Sequence, residues 1–359
     1  MSLHRCHRIL LTLPLLFAGC TRNFYQHRPQ SLAANDARVP VQRAAPRDLP
    51  MYEGHSGRVA TWADLMEGVA WADVIVIGEY HDDAEAHVVQ EAVVEATLAN
   101  WPGSAVSLEM LERNEQAAVD AWIRGELDTE KFVVATNSAN WAGKGSWADF
   151  YQPILDSARR NGGAVIAANA PRKYVRMARL EGNPAMWALP TEEREQFTTG
   201  ERLLGTPYYD RFAREMRSHR GSSLSNTDVE AVFRAQSMWD ATMARSVDEA
   251  IEAGAPKVVH LCGAFHSDFD GGTVREIRNR RPLSRILVIS CVRSESPFFA
   301  EEDRNRADLV ILTAPKPPEE DDEEEAEEKE EEKAEEVQNE EEEQQQEIEQ
   351  ETDAAAESS

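Results

Sequence analysis

A four-residue pattern, Gly-x-x-His, occurs twice in the chain and carries residue types suited to chemistry. It spans residues 78–81 (GEYH) and residues 263–266 (GAFH), and each copy directly follows a short apolar run. Glycine lets the backbone turn tightly off a strand, which brings the fourth residue over the end of the sheet. The carboxylate of Glu109 follows a third apolar run. The spacing predicts one site that combines histidine and glutamate.

Four residues of this predicted site suit either a divalent metal ion or acid–base catalysis. They are Glu79, His81, Glu109 and His266. With a metal such as Mn²⁺, Co²⁺ or Zn²⁺ they would form the centre of a hydrolase. In the structural alternative, the glutamates form buried ion pairs with Arg113 or Arg172 and the histidines cap helices.

The segment after the first Gly-x-x-His pattern reads as the start of a helix over residues 84–99. Asp82 and Asp83 are residue types that cap helix N-termini. His87 and Gln90 are three residues apart and therefore share one face of that helix. His87 is expected to line the same crevice, with a solvent-exposed His87 as the alternative.

Short apolar runs and amphipathic segments alternate along the chain. The apolar runs cover residues 74–77, 105–108, 164–168, 258–261, 286–289 and 309–312. Their length and β-branched content are typical of buried parallel strands. Helical patterns cover residues 84–99, 114–123, 147–161, 172–180, 207–219 and 228–253. This order predicts a three-layer α/β fold, with a mostly parallel sheet, helices on both faces and a helical cap insertion before the fourth strand.

Ligands of open parallel sheets bind in the crevice beyond the carboxyl ends of the strands. Both Gly-x-x-His patterns, Glu109 and the polar segment 169–172 (NAPR) follow predicted strands, so all of them are expected at one edge. The predicted cap is rich in aromatic residues, Tyr174 among them. Aromatic residues near the crevice would suit a large planar ligand.

The net charge of −27 is concentrated in the C-terminal segment. Residues 316–359 hold 23 acidic residues and 3 lysines, which leaves 42 acidic and 35 basic residues elsewhere. The segment is predicted to be an acidic disordered tail, because it has almost no apolar residues to bury. The remainder has no cationic face of the kind that phosphate contacts require, which excludes a basic nucleic-acid-binding protein.

The N-terminus is predicted to be a lipoprotein signal peptide over residues 1–19. Small residues directly before Cys20 form a lipobox-like sequence, so Cys20 is the expected lipidation site and membrane anchor. The threonine at position 21 favours an outer-membrane lipoprotein facing the periplasm. A tether is expected over 20–61 and the folded domain over 62–315. Within that domain the sequence leaves open a disulfide or two buried thiols, at Cys262 and Cys291.

Five segments together resemble the ChaN family of haem-binding lipoproteins, in the haem-binding uptake and Tiki superfamily. They are residues 74–90 (VIVIGEYHDDAEAHVVQ), 107–117 (SLEMLERNEQA), 147–172 (WADFYQPILDSARRNGGAVIAANAPR), 235–244 (AQSMWDATMA) and 260–266 (HLCGAFH). The resemblance covers about residues 62–292. It implies a membrane-anchored protein that binds haem, assists haem or iron uptake, forms homodimers that share a haem face, and works with an outer-membrane haem receptor.

The same superfamily also includes metal-dependent hydrolases, the Tiki peptidases and erythromycin esterases, and this is the alternative function. For a haem protein, the resemblance and the chemistry of ferric haem point to tyrosine, histidine and arginine side chains. The expected haem-contacting residues are Tyr80, His81, His87, Arg172, Tyr174 and His266. Arg172 or Lys173 would pair with the propionates. The sequence does not choose one axial iron ligand among them.

Overall fold

A computed structural model describes residues 45–200, 204–220 and 224–315. The strands are β1 (Met51–Glu53), β2 (Val59–Ala60), β3 (Val74–Glu79), β4 (Ala105–Glu112), β5 (Ala164–Asn169), β6 (Val258–Gly263), β7 (Ile286–Arg293) and β8 (Leu309–Thr313). The helices are α1 (Trp62–Trp71), α2 (Ala84–Asn100), α3 (Gln116–Ile123), α4 (Thr129–Ala135), α5 (Ser146–Phe150), α6 (Gln152–Arg160), α7 (Arg172–Glu181), α8 (Asn183–Ala188), α9 (Thr191–Arg194), α10 (Pro207–Arg220), α11 (Asn226–Glu252), α12 (Ala264–Ser267) and α13 (Gly272–Arg280).

The strands form one sheet in the order β2-β1-β8-β7-β3-β6-β4-β5. The six strands from β8 to β5 are parallel, and the short β1 and β2 extend the β8 side in antiparallel fashion. Strands covered on both faces are apolar throughout rather than alternating, and every residue of β3 and β6 is buried. The predicted α/β fold with a mostly parallel sheet is confirmed.

Each face of the sheet has its own hydrophobic core. On one face, Ile75 and Ile77 of β3 pack with residues of α1 to α6. On the other face, Val74 and Val76 pack with residues of α11 and α13. The alternation of side chains along the strand assigns neighbouring residues to opposite cores. The three-layer arrangement therefore follows directly from the apolar runs in the sequence.

The predicted cap insertion consists of α7 to α11, between β5 and β6. It has two small hydrophobic cores of its own, one around Tyr174 and Met186 and one around Tyr208 and Phe233. Helix α11 is 27 residues long, and its residues contribute to these cores and to the core under the sheet. The long helix therefore joins the cap to the sheet.

The β5 edge of the sheet is closed by a side chain. The amide group of Gln116 donates to the backbone oxygen of Val165 at 3.0 Å and accepts from the backbone nitrogen of Ala167 at 2.8 Å. It thereby satisfies two backbone groups that an edge strand would otherwise present to another chain.

The sheet includes residues that precede the predicted start of the folded domain. β1 and β2 lie within the predicted tether 20–61, so the folded domain begins before residue 62 and that boundary is wrong.

Cys262 and Cys291 are free and buried. They belong to cores on opposite faces, on strands separated by β3, so the alternative of two buried thiols is correct.

The predicted signal peptide, Cys20 and the acidic segment 316–359 lie outside the described residues. Within the part of the chain that is described, no helix is long and apolar enough to cross a membrane.

Candidate functional site at the carboxyl edge of the sheet

The two Gly-x-x-His patterns meet at the carboxyl ends of neighbouring parallel strands. In the register of β3 and β6, Gly78 is opposite Cys262 and Glu79 is opposite Gly263. β4 flanks β6 on its other side and brings Glu109 to the same edge. The predicted convergence of these strand ends is therefore observed.

Each glycine lies beside residues that belong to, or directly follow, the other Gly-x-x-His pattern. A side chain at Gly78 would overlap Ser267, at the end of α12. A Cβ at Gly263 would lie 3.1 Å from the ring of His81. Neither glycine has a left-handed backbone, so the expectation of a glycine-dependent tight turn is wrong. Close approach instead requires glycine at Gly78, whereas a side chain at Gly263 would need a small shift of the His81 ring.

The Glu79 carboxylate is buried and receives hydrogen bonds from several side chains. Oε1 accepts from Tyr151 Oη at 2.8 Å and lies 3.0 Å from His81 Nδ1. Oε2 accepts from Gln90 Nε2 at 2.5 Å and lies 3.2 Å from His87 Nδ1. Helix α2 and Tyr151, the residue between α5 and α6, therefore hold the carboxylate in place from one face of the sheet.

His87 is part of this buried network and does not line the crevice. Its Nε2 lies 2.9 Å from the backbone oxygen of His81, and its Nδ1 lies 3.0 Å from Gln90 Oε1. Both ring nitrogens face acceptors, which identifies the ring as a doubly protonated imidazolium. The ring also stacks on Phe150, with centroids 4.4 Å apart. The crevice and solvent placements predicted for His87 are both wrong.

Glu109 and His266 form a second network, on the other face of the sheet. Glu109 Oε2 accepts from the backbone nitrogen of Gly263 at 2.7 Å, and Oε1 lies 3.4 Å from His266 Nε2. His266 Nδ1 lies 2.7 Å from Asp240 Oδ1, on α11. His266 is thus held between two carboxylates.

The two networks come together at His81: a Cβ placed on Gly263 would lie 3.1 Å from the His81 ring and 3.7 Å from Glu109 Oε2, and the charge of Glu109 acts on His81. Six side chains consequently alternate in charge through the site, in the order His87, Glu79, His81, Glu109, His266 and Asp240. We call these six residues the charge array. Three imidazolium groups balance three carboxylates, which is how buried charges become tolerable inside a protein.

The charge array sets the ionisation of its own carboxylates. Burial alone would raise the pKa of Glu79, but the charge of His87 and the hydrogen bond from His81 lower that pKa to about 2. Burial acts in the same direction on Glu109, and the charge and hydrogen bond of His266 lower its pKa to about 2. Both glutamates are therefore anions at neutral pH.

The histidines respond in the opposite direction. Burial alone would lower the pKa of His81, but the hydrogen bond to Glu79 and the charge of Glu109 raise it to about 9. Burial likewise opposes the imidazolium of His266, yet the charges of Glu109 and Asp240 raise its pKa to about 10. These pKa values keep Glu79, Glu109, His81 and His266 charged at neutral pH.

The array reaches the surface at His81, near aromatic and basic side chains that are exposed at Tyr80 and Arg172 and half-buried at Trp141 and Arg293. His81 has 39% of its side chain exposed, and its ring lies edge-on to Trp141 with centroids 6.1 Å apart. The guanidinium of Arg172 lies over Trp141, and that of Arg293 lies over Tyr80, each 5.4 Å from the ring centroid. We call these five residues the edge row.

The remaining predicted residues take other positions. Tyr174 is buried in the cap and donates to Glu193 Oε2 at 2.9 Å. Arg172 lies 3.6 Å from Glu112, and Arg113 lies 3.0 Å from Glu249. The alternative in which Glu79 and Glu109 pair with these arginines is therefore wrong.

Sequence reasoning did not identify Asp240, Tyr151 or Tyr208 as part of the site. Tyr208 donates to Asp240 Oδ2 at 2.7 Å, from a cap helix more than fifty residues before the second Gly-x-x-His pattern. The acidic residue inside the helical segment 235–244 (AQSMWDATMA) was the available signal, because an aspartate that is buried in such a helix must have polar partners.

Two of the array's carboxylates and two of its histidines were predicted as metal ligands. Across the described ranges, no group of three or more His, Cys, Asp or Glu side chains has an arrangement that could hold a metal ion. The four residues contact one another as hydrogen-bonded pairs. Their role as metal ligands stays a prediction.

The fold and site define an α/β protein with a buried polar network at the strand ends and an exposed aromatic edge. A family model described as "Haem-binding uptake, Tiki superfamily, ChaN" matches residues 65–277. The chain belongs to this ChaN family, as the sequence motifs had suggested.

Comparison with solved structures finds a ChaN protein of Campylobacter jejuni that binds haem cofacially. The two chains have 20% identity and a TM-score of 0.59, over 76% of this chain and 99% of that one. An erythromycin esterase mutant in its open conformation matches with a TM-score of 0.39 and 11% identity, over 74% of this chain and 83% of that one. A type III effector matches with a TM-score of 0.38 and 16% identity, over 76% and 99%. No curated protein sequence matches the chain.

The ionisation of the charge array predicts a stability maximum in mildly acidic solution. The folded-state pKa of about 2 for Glu79 and Glu109, against a reference of 4.5, gives stability that is lost as pH falls from about 4.5 towards 2. The raised values for His81 and His266, against 6.5, give stability that is lost as pH rises through 9 and 10. The midpoint of thermal unfolding should be highest between about pH 4.5 and 6.5.

Glu79→Gln should lower the free energy of unfolding by about 2–4 kcal/mol at pH 6, because it leaves His87 as an uncompensated buried charge. The difference from wild type should shrink at pH 3. Glu126→Gln, at an exposed pair with Arg124, serves as the control and should match wild type. A pH-independent difference for Glu79→Gln would contradict the assigned ionisation.

Proposed function

We propose that the protein binds haem at the edge row formed by Arg293, Tyr80, His81, Trp141 and Arg172. The observation that supports this proposal most strongly is the composition of the row: aromatic rings lie between two guanidinium groups at the exposed end of the sheet. A planar aromatic ligand with carboxylate substituents matches that arrangement, and membership of the ChaN family points to haem.

Tyr80 is the residue we assign as iron ligand. Its side chain is 43% exposed, although tyrosine is usually more buried, and it directly follows β3 at the crevice. A phenolate is an established ligand of ferric haem. The guanidinium of Arg293 lies over the ring, 5.4 Å from its centroid. Bound haem would supply the iron centre, and the chain would supply this oxygen.

The other predicted haem contacts divide into accessible and inaccessible groups. His87 and His266 are buried, and both ring nitrogens of each one already face acceptors. Tyr174 is 3% exposed and donates its hydroxyl to Glu193. Ligation by any of these three would break buried hydrogen bonds, so we assign His87 and His266 to the framework of the site and Tyr174 to the core of the cap.

His81 and Arg172 are assigned to the carboxylate groups of the ligand. His81 is partly exposed and carries a positive charge held by Glu79, so it attracts an anion and is a poor iron ligand in that form. Arg172 has 75% of its side chain exposed and can bind a propionate through two parallel hydrogen bonds. Arg172 is preferred to Lys173, whose ammonium lies over the ring of Tyr174 at 4.6 Å.

We further propose that the protein acts in haem or iron uptake as a lipoprotein anchored through Cys20 in the outer membrane, facing the periplasm. The support is the lipobox-like sequence before Cys20 and the family of the folded domain. A homodimer that shares a haem face, and transfer of haem from an outer-membrane receptor, are part of this proposal. Both would use the exposed edge row as the contact surface.

Haemin titration tests the proposed ligand. Full-length protein should give a saturable change in the Soret band at micromolar concentrations. Tyr80→Phe should weaken binding at least tenfold, a loss of about 1.4 kcal/mol or more, because the phenolate is removed. Tyr174→Phe is the matched control and should bind like wild type. A wild-type spectrum that stays that of free haemin would refute haem binding, and equal affinity of Tyr80→Phe would refute the assigned ligand.

A hydrolase is the second candidate, and one observation favours it. His81 is the exposed member of the charge array and lies between Glu79 and Glu109, an arrangement suited to proton transfer at the crevice. Hydrolysis of ester and peptide substrates should be measured for wild type, Glu79→Gln and His266→Ala, with added Mn²⁺, Co²⁺ or Zn²⁺.

The haem-carrier proposal predicts no turnover above background in any of these samples. A metal-dependent wild-type rate that falls by about 10²–10⁴-fold in both variants would instead establish the hydrolase.

Lipidation is tested by metabolic labelling with a clickable fatty acid. Wild type and Cys6→Ala should incorporate the label, because Cys6 lies within the predicted signal peptide. Cys20→Ala should lose the label and the membrane association with it. Labelling of Cys20→Ala at the wild-type level would contradict the anchor.

A further inference from the structure

We infer that Asp240, on cap helix α11, is a positioning residue for the edge row, acting through His266 and Glu109. This inference rests on the proposed ligand site for its functional meaning, but the geometry that carries it is independent of any ligand. Asp240 is 1% exposed, and it contacts neither the edge row nor the surface.

Three donors fix the carboxylate of Asp240. Oδ1 lies 2.7 Å from His266 Nδ1 and accepts from Thr273 Oγ1 at 2.8 Å. Oδ2 accepts from Tyr208 Oη at 2.7 Å. The donors come from three different elements, α10, α12 and α13, which this carboxylate joins.

Helix α13 starts directly against Asp240. A side chain at Gly272, the first residue of that helix, would overlap Asp240 Oδ2, so glycine is required there by close approach. The N-terminus of a helix of nine residues favours an adjacent negative charge. The start of α13 and the three donors therefore form an anion-binding site, and the carboxylate of Asp240 occupies it.

His266 connects Asp240 to the edge of the sheet through its two ring nitrogens. Because Nδ1 is bonded to Asp240, Nε2 must point towards Glu109, whose Oε1 lies 3.4 Å away. Glu109 in turn accepts from the backbone of Gly263, and its charge acts on the imidazolium of His81, whose ring lies beside that glycine. Asp240 in the cap therefore orients His266, His266 contacts Glu109, and Glu109 acts on the exposed His81.

Asp240→Asn would remove one of the two carboxylates between which His266 is held. The His266 ring should then shift towards Glu109, its remaining charged partner. A shift of His266 would change its contact with Glu109. Because the charge of Glu109 acts on His81, the position and hydrogen bonding of His81 should change as well. We therefore expect a substitution of the buried Asp240 to change the environment of His81 in the edge row.

The test compares Asp240→Asn with Asp248→Asn in the full chain without ligand. Asp248 is on the same helix and pairs with Arg281, away from the array, which makes it a matched control. Nitrogen NMR of ¹⁵N-labelled histidine at pH 7.5 reports the protonation of each ring. In Asp240→Asn, the resonances of both His266 and His81 should shift, because His266 loses one of its two charged partners. Asp248→Asn should leave both unchanged.

Haemin titration of the same variants gives the functional readout. Asp240→Asn should weaken haemin binding roughly three- to tenfold, and Asp248→Asn should bind like wild type. Unchanged His266 and His81 resonances in folded Asp240→Asn would overturn the inference, whatever the haemin result. Failure of wild type to bind haemin would instead overturn the proposed function and leave the NMR comparison intact.

Two milder variants cover the case in which Asp240→Asn does not fold. Tyr208→Phe and Thr273→Val each remove one donor to Asp240 with little change of volume. Both should shift the His266 resonances in the same direction and by less. Spectra of both folded variants identical to wild type would also overturn the inference.

Discussion

The structure depends on one constraint: charged groups buried at the carboxyl edge of the sheet must be paired. Glu79 and Glu109 lie on strands that are covered on both faces, where an unpaired carboxylate is very costly. Their partners come from both helical layers, because His87 belongs to α2 and His266 is fixed by Asp240 of α11. The pairing therefore aligns both helical layers with the strand ends, and a site forms where they meet.

The same constraint explains why the two Gly-x-x-His patterns belong together. Gly78 leaves room for α12, and Gly263 leaves room for the ring of His81. Each glycine thus permits the other pattern to approach, and the result is a single charged histidine at the surface with its charge anchored below. The aromatic and guanidinium groups around it give the edge its affinity for a planar anionic ligand, according to the proposal.

Much of this arrangement could be predicted from sequence, because parallel strands carry a strong local signal. The apolar runs indicated six strands correctly, and strand-end polarity indicated the edge. β1 and β2 escaped notice since they have only three and two residues. Asp240 was missed for a different reason: its partners are distant in sequence, and only the packed cap brings them together.

The central claim is that the edge row holds haem with Tyr80 as the iron ligand. Resonance Raman spectroscopy of the ferric haem complex, prepared with ring-deuterated tyrosine, measures this contact directly. The account predicts phenolate bands that shift on deuteration and disappear in Tyr80→Phe. Phenolate bands that persist in Tyr80→Phe, or a wild-type complex with none, would contradict it.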